Sequence, residues 1–386
     1  MITRLHVRNF KSLRELDMHL GLINVLVGPN MAGKSNILDA LRFLYEIVFP
    51  KPGMDGVSFA LAQRGGANEV LWKGGDESLI TLAVEVTDSA EAGTEYRYEL
   101  QLLVGRGGFA TTQNESLKVV RSGSEHDLIA VKQGFLWQKN FDGKELGGIG
   151  TNTTALQNAT LAWDGYRFHE ILKLWRFYHL VPPKMKESSK MASGAVLDEP
   201  GGDNLSAWLM WLQTHSPEAF ASVNEVLRDL LPGIIQIRTI PTQDGNVHLS
   251  ISEQGLKRPT SVWQASDGFL ALTALLSLVY VPPERGGTLY CVEEPENHLH
   301  PRLLEALVAL LRQAQGTNGS QAQFLFATQS PYFVDQFSLD ELYWVEKKKG
   351  ETKAFRLADK TELRKTVEDK VLGLGNLMYS GALGKE

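Results

Sequence analysis

The run Gly28-Pro29-Asn30-Met31-Ala32-Gly33-Lys34-Ser35 places two glycines, an amine and a hydroxyl at the spacing of a phosphate-binding P-loop. Glycines let the chain turn sharply and bring successive backbone N–H groups toward an anion, and the helix that follows points its positive N-terminus at the same place. Lys34 is positioned to reach β- and γ-phosphate oxygens, and Ser35 offers a hydroxyl to magnesium. Residues Gly28, Pro29, Asn30, Ala32, Gly33, Lys34, Ser35 and Asn36 are therefore the expected nucleoside-triphosphate site.

A second chemical cluster lies far along the chain. The apolar run from Thr288 to Val292 ends in Glu293-Glu294-Pro295-Glu296, two adjacent carboxylates at the carboxyl end of a buried strand, where α/β sheets place their ligands. In a Walker B strand one acid, here Glu293, holds magnesium, and in the ABC-type branch the next, Glu294, orients and polarises the attacking water. Between the two clusters, Ser266-Asp267-Gly268 opens an amphipathic pattern running from Leu270 to Tyr280. Serine and glycine at a helix start leave N–H groups that can meet a second anion, although the same letters also make an ordinary N-cap.

Both clusters need strands and helices to hold them. Ile23 to Val27 reads as a buried strand before the P-loop, and Ile37, Leu38, Ala40, Leu41 and Leu44 give one apolar face to a helix reaching about Val48. Two short strands flank Asn9-Phe-Lys-Ser-Leu13. From Glu69 to about Gln138, period-two stretches separated by Gly, Asp and Ser predict an antiparallel sheet. A Gly- and Asn-rich region from Asp142 to Asp203 contains the loop Lys184 to Pro200, expected to be mobile. Helices at Leu205 to Leu212 and Phe220 to Leu231 and strands at Ile234 to Ile240 and Val247 to Ile251 follow, before helices and strands alternate to about Val345.

The fold class expected is α/β, a P-loop NTPase with an antiparallel β subdomain and a mixed helical insertion. The division expected is 1–150 for a first ATPase lobe, 151–250 for the insertion and 251–386 for a second lobe. A net charge of −6 argues against coating nucleic acid by bulk charge, though not against a local basic patch. One cysteine, Cys291, excludes a disulfide framework and suits a reducing compartment. No apolar run approaches membrane-spanning length and the first residues carry no signal-peptide core, so the expected location is the cytoplasm.

Taken together, Asn9-Phe-Lys-Ser-Leu13, the P-loop, Ser266-Asp-Gly268, Glu293-Glu-Pro-Glu-Asn-His-Leu-His-Pro301 and Ala327-Thr-Gln-Ser-Pro331 resemble the RecF/SMC/OLD-type ABC ATPases. The resemblance covers residues 1 to 50 and about 255 to 345. It implies ATP and Mg2+ as cofactors, ATP hydrolysis, and a head-to-tail homodimer in which Ser266 and Gly268 meet the γ-phosphate held by the other subunit. It implies that Glu296 to His300 form the D-loop region, that Gln63 is the Q-loop glutamine joining the lobes and holding magnesium or water, and that Gln329 stands where many relatives carry a switch histidine. A glutamine donates a hydrogen bond but carries no charge, which points to slower hydrolysis.

The residues after Pro331 are too few for the fused TOPRIM nuclease of some OLD relatives, and no heptads provide an SMC coiled coil. The expected function is thus an ATPase that couples closure to DNA or to a separate nuclease or effector chain, in genome maintenance or antiphage defence. The alternative is a slow-turnover ATP-gated regulator or scaffold. A transporter subunit or a P-loop kinase would leave the opening strand or the Ser266 and Gln329 segments without a role.

Other conspicuous residues read more plainly. Lys184, Lys186 and Lys190 with Arg176 are expected to be solvated loop charges, and Lys347 to Lys349 a hairpin tip. Trp175, Trp208, Trp211 and Cys291 fall on apolar faces and read as core or interface. His298 and His300 lack further ligands at zinc spacing, so local capping is the expected role.

Overall fold

The computed structural model describes residues 1–105, 108–132, 135–150, 153–191, 196–282, 285–317, 322–360, 373–379 and 383. In chain order its strands are β1 (Ile2–Phe10), β2 (Leu13–His19), β3 (Ile23–Val27), β4 (Leu79–Thr87), β5 (Thr94–Val104), β6 (Ala110–Arg121), β7 (Ser124–Lys132), β8 (Phe135–Lys139), β9 (Glu145–Gly150), β10 (Trp175–Tyr178), β11 (Ser189–Lys190), β12 (Ile234–Pro241), β13 (Asn246–Glu253), β14 (Thr260–Ser261), β15 (Leu289–Glu293), β16 (Gln323–Thr328), β17 (Leu342–Lys348) and β18 (Glu351–Arg356). The α-helices are α1 (Lys34–Val48), α2 (Gly56–Ala62), α3 (Ala67–Val70), α4 (Tyr166–Lys173), α5 (Pro182–Met185), α6 (Leu205–His215), α7 (Pro217–Leu230), α8 (Asp267–Val279), α9 (Pro301–Thr317), α10 (Pro331–Val334) and α11 (Leu374–Tyr379).

Two units result. The first takes residues 1–175, 323–329 and 338–386, and the second takes 176–322 and 330–337. In the first, an eight-stranded antiparallel sheet runs β2-β1-β4-β5-β6-β7-β8-β9, so the opening hairpin extends the sheet expected from residue 69 onward. Alternation explains it: Tyr96, Tyr98, Leu100 and Leu102 of β5 are buried on one face, while Glu95, Arg97, Glu99 and Gln101 take the other. Beside it, β16, β3, β17 and β18 lie in that order, with β3 parallel to both neighbours. Every residue of β3 and of β16 is buried, as strands covered on both faces require. Lys349 and Gly350, both at positive φ, form the two-residue tip joining β17 to β18, so the lysine cluster is a hairpin end.

α1 packs its buried stripe of Ile37, Leu38, Leu41 and Leu44 inward and is clamped from outside by Arg64. Arg64, just after α2, meets Asp39 at 2.6 Å and Glu46 at 2.5 Å and lies over the Phe43 ring.

Glu115, a buried carboxyl in this unit, has no counter-ion among the described residues. Glu115 of β6 accepts hydrogen bonds from Tyr98 Oη at 2.9 Å, Ala155 N at 2.6 Å and Leu156 N at 3.0 Å. Burial outweighs these donors and pushes its pKa up to about 7 from the usual 4.5. The native chain then keeps a proton that the unfolded chain releases, so Glu115 costs stability progressively as pH rises from 4.5 to about 7. Glu115→Gln should flatten that part of the melting temperature profile; parallel curves for variant and wild type would contradict it.

In the second unit α8 is central. Ten consecutive residues from Phe269 to Leu278 are buried, and Trp208 of α6 donates its indole N–H to Ser277 Oγ at 2.9 Å. Trp208 is buried, as is Trp175 at the end of the first unit's long segment; Trp211 stacks between Trp208 and His215, and burial pushes the Cys291 thiol well up. β13 carries β12 on one edge and β11 and β14 elsewhere, and β10 neighbours β15. Much of the loop from Lys184 to Pro200 is packed: Met185 and Leu197 are fully buried, while 192–195 lie outside the described residues.

Candidate active site

In the first unit the P-loop follows β3 directly, and close packing dictates both glycines. A Cβ on Gly28 would sit 2.0 Å from the Val345 carbonyl oxygen of β17. Gly33, at φ 105°, would place one 2.0 Å from Thr352 Oγ1 and 2.9 Å from Ser12 Oγ.

Those hydroxyls belong to a directed chain of hydrogen bonds. Asn36 Nδ2 donates to Ser12 Oγ at 2.6 Å, and Thr352 Oγ1 donates to the Ala32 carbonyl at 2.8 Å. With both ends fixed, the 2.6 Å contact between the hydroxyls runs from Ser12 to Thr352. Thr352 N also donates to Ser12 O at 2.8 Å. The loop is thus strapped to the β1–β2 turn and to β18 by the protein's own bonds, which lowers the ordering cost of binding a nucleotide. Thr352→Val removes the hydroxyl at nearly constant volume. It should raise the Kd for ATP about tenfold, the order expected for one lost buried hydrogen bond, as read by fluorescent-nucleotide titration; an unchanged Kd would contradict the strap.

Lys34 is buried, its amine donating to the carbonyls of Gly28 at 2.8 Å and Pro29 at 3.0 Å. Gly33 supplies no side chain to cap α1, so the first turn of the helix faces the loop uncapped by a side chain. Gln329 lies one residue beyond β16, whose Thr328 pairs with Val27, so Gln329 and Gly28 leave adjacent parallel strands at the same end. The sequence-derived pair of P-loop and Gln329 is therefore brought together. Gln63 is different: it is the exposed C-cap residue just after α2, and its neighbour Arg64 makes the contacts to α1.

In the second unit Ser266 caps α8, accepting from Phe269 N at 3.2 Å. A Cβ on Gly268 would lie 2.4 Å from the His298 carbonyl oxygen, so glycine is required for the helix start to rest on the 296–300 turn. Gly268→Ala should cost about 1–3 kcal/mol, as overpacking does, and shift the capping turn; a melting temperature equal to wild type would contradict this. Asp267 pairs with Lys186 Nζ at 2.8 Å, which holds its carboxyl below the usual range. Glu293 ends β15 and Glu294 follows at φ 47°, a left-handed conformation unusual for glutamate that turns the chain sharply after the strand. His298 is also left-handed, and His300 Nδ1 accepts from Arg302 N at 3.3 Å, a local cap at the start of α9.

The residues suit ATP and magnesium. A buried amine donating to the loop carbonyls of Gly28 and Pro29, a glycine-capped helix start and a strapped loop suit a polyphosphate. Ser35, in the first turn of α1, offers a hard oxygen donor of the kind magnesium prefers when phosphates and water complete its shell. Among the described residues no group of three His, Cys, Asp or Glu gathers as a metal cluster, and no helix is long and apolar enough to cross a membrane.

Residues 23–335 match the family model described as AAA domain, putative AbiEii toxin, Type IV TA system. The chain belongs to this family. It resembles the OLD nuclease of Thermus scotoductus, 44% identical over 50 residues, 13% of this chain and 10% of that protein. It also resembles an uncharacterized protein of Methanocaldococcus jannaschii, 32% identical over 99 residues, 25% of this chain and 42% of that protein. The matches thus span less than half of either relative.

Two solved structures share the fold. One is an Smc head bound to the C-terminal winged-helix domain of ScpA, with TM-score 0.58, 15% identity, and coverage of 93% of this chain and 99% of that one. The other is an Smc head with an extended coiled coil bound to the C-terminal domain of ScpA from Pyrococcus furiosus, with TM-score 0.55, 14% identity, and coverage of 95% and 99%. This AAA-family chain is an SMC/RecF/OLD-type, ABC-like P-loop ATPase, as the sequence resemblance implied.

Sequence reasoning found the P-loop, the acids and Ser266 to Gly268 by spacing, but it missed Thr352, whose partners lie more than 300 residues away. Thr352 lies in β18 just after the Lys349–Gly350 tip, and nothing in the residues around it marks it as reaching the loop.

Proposed function

We propose that the protein hydrolyses ATP as a head-to-tail homodimer, the P-loop of each subunit facing the Ser266–Gly268 turn of the other. The observation that carries this is the built form of that turn. That helix start, capped by Ser266 and with Gly268 fitted against the 298 carbonyl, would offer its first-turn N–H groups to a phosphate held by the other subunit. A symmetric pair would use each turn once.

The roles follow from electrostatics. Magnesium, when bound, neutralises charge on the β- and γ-phosphates; Ser35 and Glu293 are the residues that would hold it. Lys34 exchanges the carbonyls of Gly28 and Pro29 for phosphate oxygens. Glu294 orients water and takes its proton, and Gln329 donates an amide N–H toward the γ-phosphate. Ser266 and the N–H groups of Asp267 and Gly268 receive the γ-phosphate of the other subunit. Gln63, exposed at the end of α2, would join magnesium or water only after that helix approaches on closure.

Closure and opening would act in the cytoplasm on DNA or on a separate nuclease or effector chain; the matches to the OLD nuclease and to ScpA-bound Smc heads support this direction. Gln329 favours a second reading, a regulator that closes on ATP and turns over slowly, because an uncharged amide stabilises less developing charge.

Complementation tests the shared site. Lys34→Ala and Ser266→Arg chains should each be inactive alone, whereas mixing them should recover turnover at the one intact composite site of each heterodimer. No recovery, with both chains folded, would contradict head-to-tail sharing.

A further inference from the structure

An aspartate is a poor neighbour for a phosphate, yet Asp267 stands between Ser266 and Gly268 at the start of α8. Its carboxylate meets Lys186 Nζ at 2.8 Å. Lys186 is not a loosely tethered surface charge. It follows α5, which packs on α8, and the preceding Met185 and Pro182 are buried, fixing the backbone that presents the lysine. The side chain itself is 24% exposed. The other charges nearby are accounted for: Lys184 pairs with Asp203, and His298 flanks Asp267 from the 296–300 turn.

We infer that Lys186 is a positioning residue for ATP-dependent dimerisation: its ammonium neutralises Asp267, so that the Ser266–Gly268 turn can accept the γ-phosphate of the other subunit without like-charge repulsion. The inference rests on the head-to-tail reading above. It gives the segment between β10 and α6 a part in the cycle, because any partner that draws α5 or Lys186 away leaves a bare carboxylate facing the triphosphate and disfavours closure.

The test uses the full chain with Glu294→Gln as parent, titrated with ATP and magnesium and followed by sedimentation velocity. Lys186→Gln should raise the dimer dissociation constant about tenfold, roughly threefold at each of two equivalent interfaces, the order of one partly exposed charge pair. Lys186→Arg should retain most of the parent's affinity. Asp267→Asn should suppress the defect, so that the double variant with Lys186→Gln dimerises like Asp267→Asn alone. A purely structural role for Lys186 would not be rescued by removing the opposing charge.

Unchanged dimerisation of Lys186→Gln would overturn the inference. So would an equal defect in the Asp267→Asn background, which would put Lys186 in direct contact with something other than Asp267. A parent that binds ATP and stays monomeric would instead overturn the head-to-tail reading itself, and this inference with it.

Discussion

Glu294→Gln should lower ATP turnover by about 10²- to 10⁴-fold, the range expected when a general base is removed. Glutamine keeps the length and shape of the side chain and the left-handed backbone at φ 47° demands no more of it than of glutamate. An amide can still accept a hydrogen bond from water but cannot take its proton. Ground-state binding uses Lys34, the strapped loop and Ser35, none of which changes, so the Kd for ATP should stay within about threefold. Phosphate release and nucleotide titration on the same preparations separate the two quantities. A variant retaining a tenth or more of wild-type turnover would remove Glu294 from the catalytic role.

Arg64→Ala should destabilise the first unit by about 3–5 kcal/mol, the cost of breaking a buried charge network by deleting one partner. Arg64 is 5% exposed and donates to both oxygens of Asp39, to Glu46 and to the Ala60 carbonyl. Burial opposes its charge, but the two carboxylates more than offset that and raise its pKa. Deletion leaves Asp39 to the more exposed Lys11 and Glu46 to the more exposed Arg42. Because α1 carries Lys34 and Ser35 at its start, nucleotide affinity should fall as well. Arg64→Lys should recover part of the loss, since one ammonium cannot reproduce the two-pronged contact with Asp39. Urea unfolding measures the effect; a change below about 1 kcal/mol would contradict the clamp.

These effects show which parts of the molecule the sequence discloses. The P-loop is legible because its geometry is local: the turn, the helix start and the lysine fall within eight residues. The strand runs of β3, β15 and β16 are legible because strands buried on both faces must be continuously apolar. Gln63 was singled out by its letter and local context, whereas burial and charge make the adjacent Arg64 the residue that joins α2 to α1. Lys186 looked like a solvated loop charge because nothing in the order of residues brings it to Asp267, 81 positions on.

The strap from Asn36 through Ser12 to Thr352 was illegible for the same reason. Its last link spans 320 residues and depends on β17 and β18 returning to the side of β3. That return also interleaves the two units along the chain, which composition does not reveal because the returning strands look like any others. Glycine identity at 28, 33 and 268 is different again: the letters are visible, but the reason at 28 and 268 is a neighbouring carbonyl supplied by a distant segment.

The most direct test of the central claim is the mass of Glu294→Gln in solution by multi-angle light scattering, with ATP and magnesium and then with ADP and magnesium. The account predicts a dimer with ATP and a monomer with ADP, and predicts that Ser266→Arg abolishes the dimer while leaving ATP bound at the P-loop. A monomer under saturating ATP, or a dimer indifferent to both the nucleotide and Ser266, would contradict it.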